Sequence, residues 1–191
     1  MEIKKVKKLS DFRHLNLFEI EYVDMHQKER TWQLASRMSE PKCVTGDFSK
    51  PDAVVIVPFH TKKNKLVIIK EFRVPLGDYQ YGFPAGLMDE GETIEQTAIR
   101  ELHEETGLTV TQIKKSTLPA FSTSGLTDES VSMVYVECEG TPTNIHNESS
   151  EDITTLMVSP SEAETICQNP QLKIDIKTSL ILSFFAEMKK I

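Results

Sequence analysis

Three glutamates crowd the short run Arg100-Glu101-Leu102-His103-Glu104-Glu105, just ahead of Gly107. No glycine or proline interrupts Thr93–Thr106, so the stretch predicts a helix. Thr93 and Gln96 are spaced as a capping box at its start, and Gly107 supplies the C-terminal stop. Residues four apart share a helix face, which sets Glu101 beside Glu105 with Glu104 one step round. Like charges so placed repel. They also stand at the negative end of the helix dipole, where each carboxylate costs a few tenths to about 1 kcal/mol. A solvated helix face is the ordinary reading of such a run. Against it stand the glycines at both ends, Gly86 after Pro84-Ala85 and Gly107 at the stop, with the acidic loop Asp89–Glu92 between them. Carboxylates gathered on one side of a loop–helix–loop, against two penalties, point to a bound cation. Oxygen ligands suit Mg²⁺, with Mn²⁺ as its substitute. Arg100 can reach across to Glu104 or Glu92 and hold those carboxylates in place.

The same helix must rest on something. Ile94, Ala98 and Leu102 recur at the four-residue spacing and give it a narrow apolar face for a sheet. Apolar, β-branched runs at Ala53–Phe59 and Lys65–Phe72 read as a hairpin through the polar His60–Asn64. Further strands are predicted at Val110–Leu118, Val131–Cys138 and Ile153–Val158. Pro160-Ser161 with Glu164 opens a second helix by the same capping logic, and Ile176–Lys189 reads as the last. Upstream, Leu15–Val23 and Thr31–Met38 are strand-like, while Glu40–Ala53 has the Pro, Gly, Asp and Ser of a connection. Strands, helix, strands and helices without regular βαβ alternation make an α+β (mixed α/β) chain.

Composition limits what that fold can serve. The 191 residues suffice for one sizeable core and an appended element. Residues 1–50 are read as the β-rich N-terminal appendage and 51–191 as the catalytic domain. A net charge of −7 disfavours a surface that wraps nucleic acid, although a polyanionic substrate suits an acidic protein when metal ions lie between them. No window approaches 18 apolar residues in a row, so no membrane span is expected. The N-terminal stretch has basic residues but no apolar core of a secretory signal. Cys43, Cys138 and Cys167 lie far apart and read as free thiols in a reducing, cytoplasmic setting. The five histidines show no ligand spacing, and Asp89–Glu92 lacks the alternating oxygens of a calcium loop.

Taken whole, Gly86–Leu108 resembles the Nudix box, G-x5-E-x7-R-E-U-x-E-E-x-G-U with U aliphatic. Gly86, Glu92, Arg100, Glu101, Leu102, Glu104, Glu105, Gly107 and Leu108 fill its fixed positions in order. The resemblance implies an α/β/α sandwich around a mixed sheet and hydrolysis of a diphosphate with divalent ions. Glu101 and Glu105 then correspond to the main metal ligands, with the Ala85 carbonyl and Glu104 contributing. Gly86, Glu92, Arg100 and Gly107 correspond to the structural brace of the catalytic helix. Other motifs are similar to the ADP-ribose and nucleotide-sugar pyrophosphatase branch. Lys70-Glu71-Phe72-Arg73 resembles its E-x-R and makes Arg73 a substrate contact. Gly82-Phe83-Pro84-Ala85-Gly86 is similar to its E-L-P-A-G, with Gly82 where the branch usually has Glu. Ser122–Glu129 resembles the S-P-G-x-x-[DE]-E loop without its proline. Leu87, Ser124, Gly125 and Glu129 are the further substrate contacts the resemblance implies, and Trp32 is a candidate to stack on the base. Ser150-Glu151-Asp152-Ile153 is similar to the branch's E-D-I, where the glutamate reaches a metal.

Hydrolysis also needs a proton acceptor, and Glu148, Glu151 and Glu104 are the candidates, with the later loop favoured because the branch draws its base from there. Ser149 stands where the branch has that base. In the branch, an N-terminal region like residues 1–50 builds a homodimer, so one is expected. The expected substrate is a nucleoside diphosphate linked to another group, foremost ADP-ribose, yielding AMP and ribose 5-phosphate. GDP-mannose, UDP-glucose or a damaged nucleotide is the rival substrate. A ligand sensor without catalysis is the rival class, and the complete set of box carboxylates speaks against it.

Overall fold

The computed structural model describes residues 1–190 and divides into two units. The first joins Met1–Asp52 to Pro119–Val131, and the second comprises Ala53–Leu118 with the chain from Ser132 onward.

In the first unit, β1 (Glu2–Lys8), β2 (Asn16–Val23) and β3 (Glu29–Ser36) form an antiparallel three-stranded sheet. Phe18, Ile20 and Leu34 are buried on one of its faces, because β2 alternates apolar and polar residues. Strand β1 is absent from the sequence expectation: five of its seven residues are charged, which hides the period. The connection after β3 contains a single helical turn, α1 (Lys42–Thr45). A short strand, β9 (Ala120–Phe121), pairs with Ser130 and Val131, the start of β10 (Ser130–Glu139).

The second unit holds the larger sheet. Its strands are β4 (Ala53–His60), β5 (Lys65–Arg73), β6 (Asp78–Gly82), β7 (Ala85–Leu87), β8 (Thr109–Ser116), the rest of β10, β11 (Ile153–Val158) and β12 (Lys173–Ile174). They run in the order β12-β6-β5-β4-β10-β8, while β11 pairs with β5 and β7 with β4. Parallel β12–β6 and antiparallel β5–β6 pairs make it mixed. The predicted hairpin is present, closed by a 3₁₀ turn at Thr61–Lys63 with Asn64 left-handed.

Helices cover both faces. From β4, Val54 and Ile56 join Val67, Val134, Val136 and Cys138 in one cluster with Ala98 and Leu102 of α2 (Ile94–Thr106). Phe59, of opposite parity on the same strand, meets Phe185 of α4 (Ile176–Met188) edge to face at 6.3 Å. Strand β4 is therefore apolar from Ala53 to Phe59 because it is buried on two sides. Helix α3 (Pro160–Gln168) has its cap two residues earlier than expected. Ser159 accepts from the Glu162 backbone and Glu162 reciprocates, so the box is Ser159/Glu162 and not Ser161/Glu164. Pro160 decides this, since proline is favoured at the first helical position, directly after the cap.

Candidate active site

Helix α2 carries the predicted cap at its start: Thr93 accepts from the Gln96 backbone while the Gln96 side chain accepts from Thr93. At its other end Gly107 takes φ +69°, and a Cβ there would lie 2.2 Å from the Thr143 side chain. Both conformation and space therefore require glycine. Gly86 is needed for space alone. Paired with Val54 in the β4–β7 ladder, it would place a Cβ only 1.8 Å from the Glu101 carboxylate. The absence of one side chain in β7 makes the cradle into which Glu101 reaches.

Arg100 organises the acidic groups. Its guanidinium donates to both carboxylate oxygens of Glu92 at 2.8 Å, to Glu101 at 2.6 Å, to Glu104 at 3.1 Å and to the Leu87 carbonyl at 3.1 Å. Glu92 also accepts from Thr97 Oγ1 and the Asp89 N–H. So many donors, Arg100 foremost, hold its carboxyl down to about 2. This pair is the brace: it ties the loop before α2 to the middle of the helix.

Glu101 and Glu105 are in the opposite electrostatic state. Both are buried, and burial is the main cause that raises the pKa of each. For Glu101 the Arg100 contact works against that rise, while Glu104 and Glu151 add to it. Glu105 is raised much further, with Glu101, Glu71 and Glu151 reinforcing the effect of burial. Its one compensating contact is the Ala85 N–H, 3.1 Å from Oε2. Glu71 and Glu151 thus belong to the same negative field. The β5–β11 ladder explains how they come there: Ile153 pairs with Glu71, so Glu151 stands just beyond the end of that ladder.

The loop before β11 is held at two points. Asp152 accepts from the Tyr79 hydroxyl, and its carbonyl accepts from the Phe72 N–H. Tyr79 is itself fixed by an edge contact with Phe72 and by Lys70 over its ring. Glu148 and Glu151 close a small turn, the Glu151 carboxylate accepting from the Glu148 N–H at 2.9 Å. Glu148 is exposed.

The all-oxygen donor set fits a hard divalent cation. A cation would relieve the two buried carboxylates, of which only Glu101 has a basic partner. Among the described residues no three acidic, histidine or cysteine side chains already converge as a ligand cage. Arg100 occupies the Glu101 carboxylate, so ligation would require that oxygen to turn from the guanidinium.

The other expected residues are distributed as follows. Arg73 lies at the end of β5 and pairs with Glu71 at 2.8 Å. Leu87, half exposed on β7, lends its carbonyl to Arg100. Trp32, Ser124, Gly125 and Glu129 belong to the first unit. There Trp32 is half exposed on β3, and Glu129 pairs with Arg37 at 3.0 Å. Glu71 and Tyr79 are absent from the sequence expectation. A carboxylate two residues beyond the apolar run of β5 was the available signal for Glu71; Tyr79 gave none, because its partner is 73 residues away.

Residues 49–178 match the family model described as the NUDIX domain. A Caenorhabditis elegans protein carrying a nudix hydrolase name is 32 % identical over 160 residues, covering 80 % of this chain and 70 % of that one. The ADP-ribose pyrophosphatase of Saccharomyces cerevisiae is 34 % identical over 140 residues, covering 73 % of this chain but only 59 % of its own length. A crystal structure of an ADP compounds hydrolase superposes with a TM-score of 0.73 at 18 % identity, over 98 % of this chain and 95 % of that one, a likeness of fold. The glycine cradle, the arginine brace and the buried carboxylates all fall inside the matched stretch, and the chain belongs to the NUDIX family.

Proposed function

We propose that the chain hydrolyses the pyrophosphate bond of a nucleoside diphosphate linked to another group, with ADP-ribose, split to AMP and ribose 5-phosphate, as the foremost substrate. The observation that carries this reading is the pair of buried, electrostatically frustrated carboxylates Glu101 and Glu105, set in a glycine cradle. Burying a charge such as that of Glu105 without a basic partner costs several kcal/mol, and Glu101 beside it has only the shared Arg100, so a site that keeps both is arranged for a cation. The names of the yeast relative and of the structural neighbour support an adenosine diphosphate substrate.

Mg²⁺, or Mn²⁺ in its place, would supply charge neutralisation at the phosphate oxygens and a more acidic bound water. Glu101 and Glu105 would hold it, with the Ala85 carbonyl, Glu104 and Glu151. Arg100 and Glu92 keep the helix in register with its loop while those carboxylates are engaged. Glu148, Glu151 or Glu104 would accept the proton of the attacking water, with Glu148 favoured. Arg73 suits a phosphate oxygen bidentately once it leaves Glu71. Trp32 would stack on the base, and Leu87, Ser124, Gly125 and Glu129 would line the rest of the substrate. We assign residues 1–50 to a dimerisation element, 51–191 to catalysis, and the whole to the cytoplasm.

The test is a panel of diphosphate compounds incubated with the protein and Mg²⁺, with products identified by mass. AMP and ribose 5-phosphate from ADP-ribose support the proposal. Preference for GDP-mannose or UDP-glucose would replace the substrate and keep the chemistry. Binding of ADP-ribose with no product from any compound would overturn catalysis in favour of a sensor.

A further inference from the structure

Helix α4 is apolar on more than the side it buries. Thr178, Leu182 and Phe185 point inward and are at most 1 % exposed. Ile176, Leu180, Phe184 and Met188, each four residues from the next, are 64, 65, 52 and 45 % exposed. A helix covered on one side ordinarily turns charged residues outward. Four large apolar side chains in one row form a contiguous patch, unlike the single exposed residues of an ordinary surface. The family match ends at Thr178, so most of this row lies beyond it.

The row is symmetric under reversal. About Leu182, Ile176 mirrors Met188 and Leu180 mirrors Phe184. At the edge of the row Lys177, which also pairs with Asp175 of its own chain at 2.7 Å, mirrors Glu187 with opposite sign. Two copies of α4 laid antiparallel about a two-fold axis on the outer face, midway between Leu180 and Phe184, would set apolar residues against apolar ones. They would also bring each Lys177 ammonium level with the Glu187 carboxylate of the other copy. Rows at four-residue spacing are the ridges that interlock when helices cross at about −50°. A two-fold contact demands such a self-complementary surface.

We propose that the outer face of α4 is an interface with the α4 of a second copy of this chain, antiparallel and centred between Leu180 and Phe184. This contact is separate from the dimer assigned to residues 1–50. If both form, each chain meets two others through two different two-fold contacts.

Sedimentation of the full chain at up to about 100 μM measures it. Leu180→Glu/Phe184→Glu changes only outward-facing positions and should keep the wild-type melting curve. The proposal expects the limiting mass of that variant to be at most half that of the wild type, with association at least about tenfold weaker. Lys177→Glu alone should weaken association by about two- to fivefold, and Lys177→Glu/Glu187→Lys should restore it. Equal masses for wild type and the double-glutamate variant at every concentration overturn the proposal. So does a Lys177→Glu loss that Glu187→Lys fails to reverse, because the antiparallel register would then be wrong.

Discussion

At the scale of single residues, the site sets one carboxylate stabilised in the charged form, Glu92, against two destabilised in it, Glu101 and Glu105. Glu105 has one backbone donor and three acidic neighbours in its field, so its charge opposes folding unless a cation is bound. Glu105→Gln should therefore lower kcat by at least about two orders of magnitude. It should also raise the metal-free stability by a few tenths of a kcal/mol or more, as relieved like-charge pairs do. Near wild-type turnover in this variant would remove Glu105 from the ligand set. Glu92 runs the other way. Its folded-state pKa is depressed from 4.5 to about 2, so its contribution is present above 4.5 and lost as pH falls towards 2. Glu92→Gln should thus be less stable than wild type at neutral pH, and the gap should close across that acidic window. Thermal melts from pH 7 downward measure this, and a gap that stays constant would mean that Glu92 acts by shape and not by charge.

At the scale of elements, what was legible in the sequence is what local chemistry determines. Helix α2 could be read to the residue because its cap, apolar face and glycine stop all lie within the segment. Strands β6, β7, β9 and β12 could not, since each has at most five residues and exists through pairing with distant partners. The same division holds within the site. Glu101, Glu104 and Glu105 share one helix and declared themselves by spacing, whereas Glu71 reaches them only through sheet register. The loop Asn147–Asp152 lies between these cases: its acidic residues were visible, but its anchors Tyr79 and Phe72 were not. Anchoring next to Asp152 aims Glu151 at the box, while Glu148 stays exposed at the start of the turn. We therefore expect Glu151→Gln to behave as a ligand mutant, partly rescued by raised Mg²⁺. Glu148→Gln should lower kcat by about two to four orders of magnitude with substrate affinity nearly unchanged, and added Mg²⁺ should not rescue it. A magnesium titration of both variants separates the roles. Wild-type kcat in Glu148→Gln would hand the proton to Glu151 or Glu104.

At the scale of the whole molecule, the first unit has to be assembled from two stretches that the chain keeps far apart, Met1–Asp52 and Pro119–Val131. A buried polar network joins them. The Lys42 ammonium lies 2.5 Å from Asp52 and 2.7 Å from Ser130 Oγ, and Asp52 also accepts from the Ser130 N–H at 2.7 Å. Asp128 receives the Lys42 N–H and the Ser36 hydroxyl, while the Ala35 N–H donates to the Leu126 carbonyl. The edge contact of Phe48 with Phe121 at 5.9 Å, the Arg37–Glu129 pair and the Asp52 N–H on the Ser130 carbonyl at 2.8 Å join the same two stretches. The ion pair is enclosed, with side-chain exposures of 6 and 12 %, so its two members are worth far more together than either is alone. Lys42→Met would leave Asp52 charged and enclosed, and should destabilise the unit by about 3–5 kcal/mol. Lys42→Met/Asp52→Asn removes the orphaned charge while an amide oxygen can still accept from Ser130, so it should recover more than half of that loss. Urea unfolding followed by the single tryptophan, Trp32 on β3 in this same unit, reports on it directly. If the double variant is no more stable than Lys42→Met, the ammonium contributes through shape and contacts, and the tie between the two stretches is carried by the backbone bonds at Ala35 and Asp52.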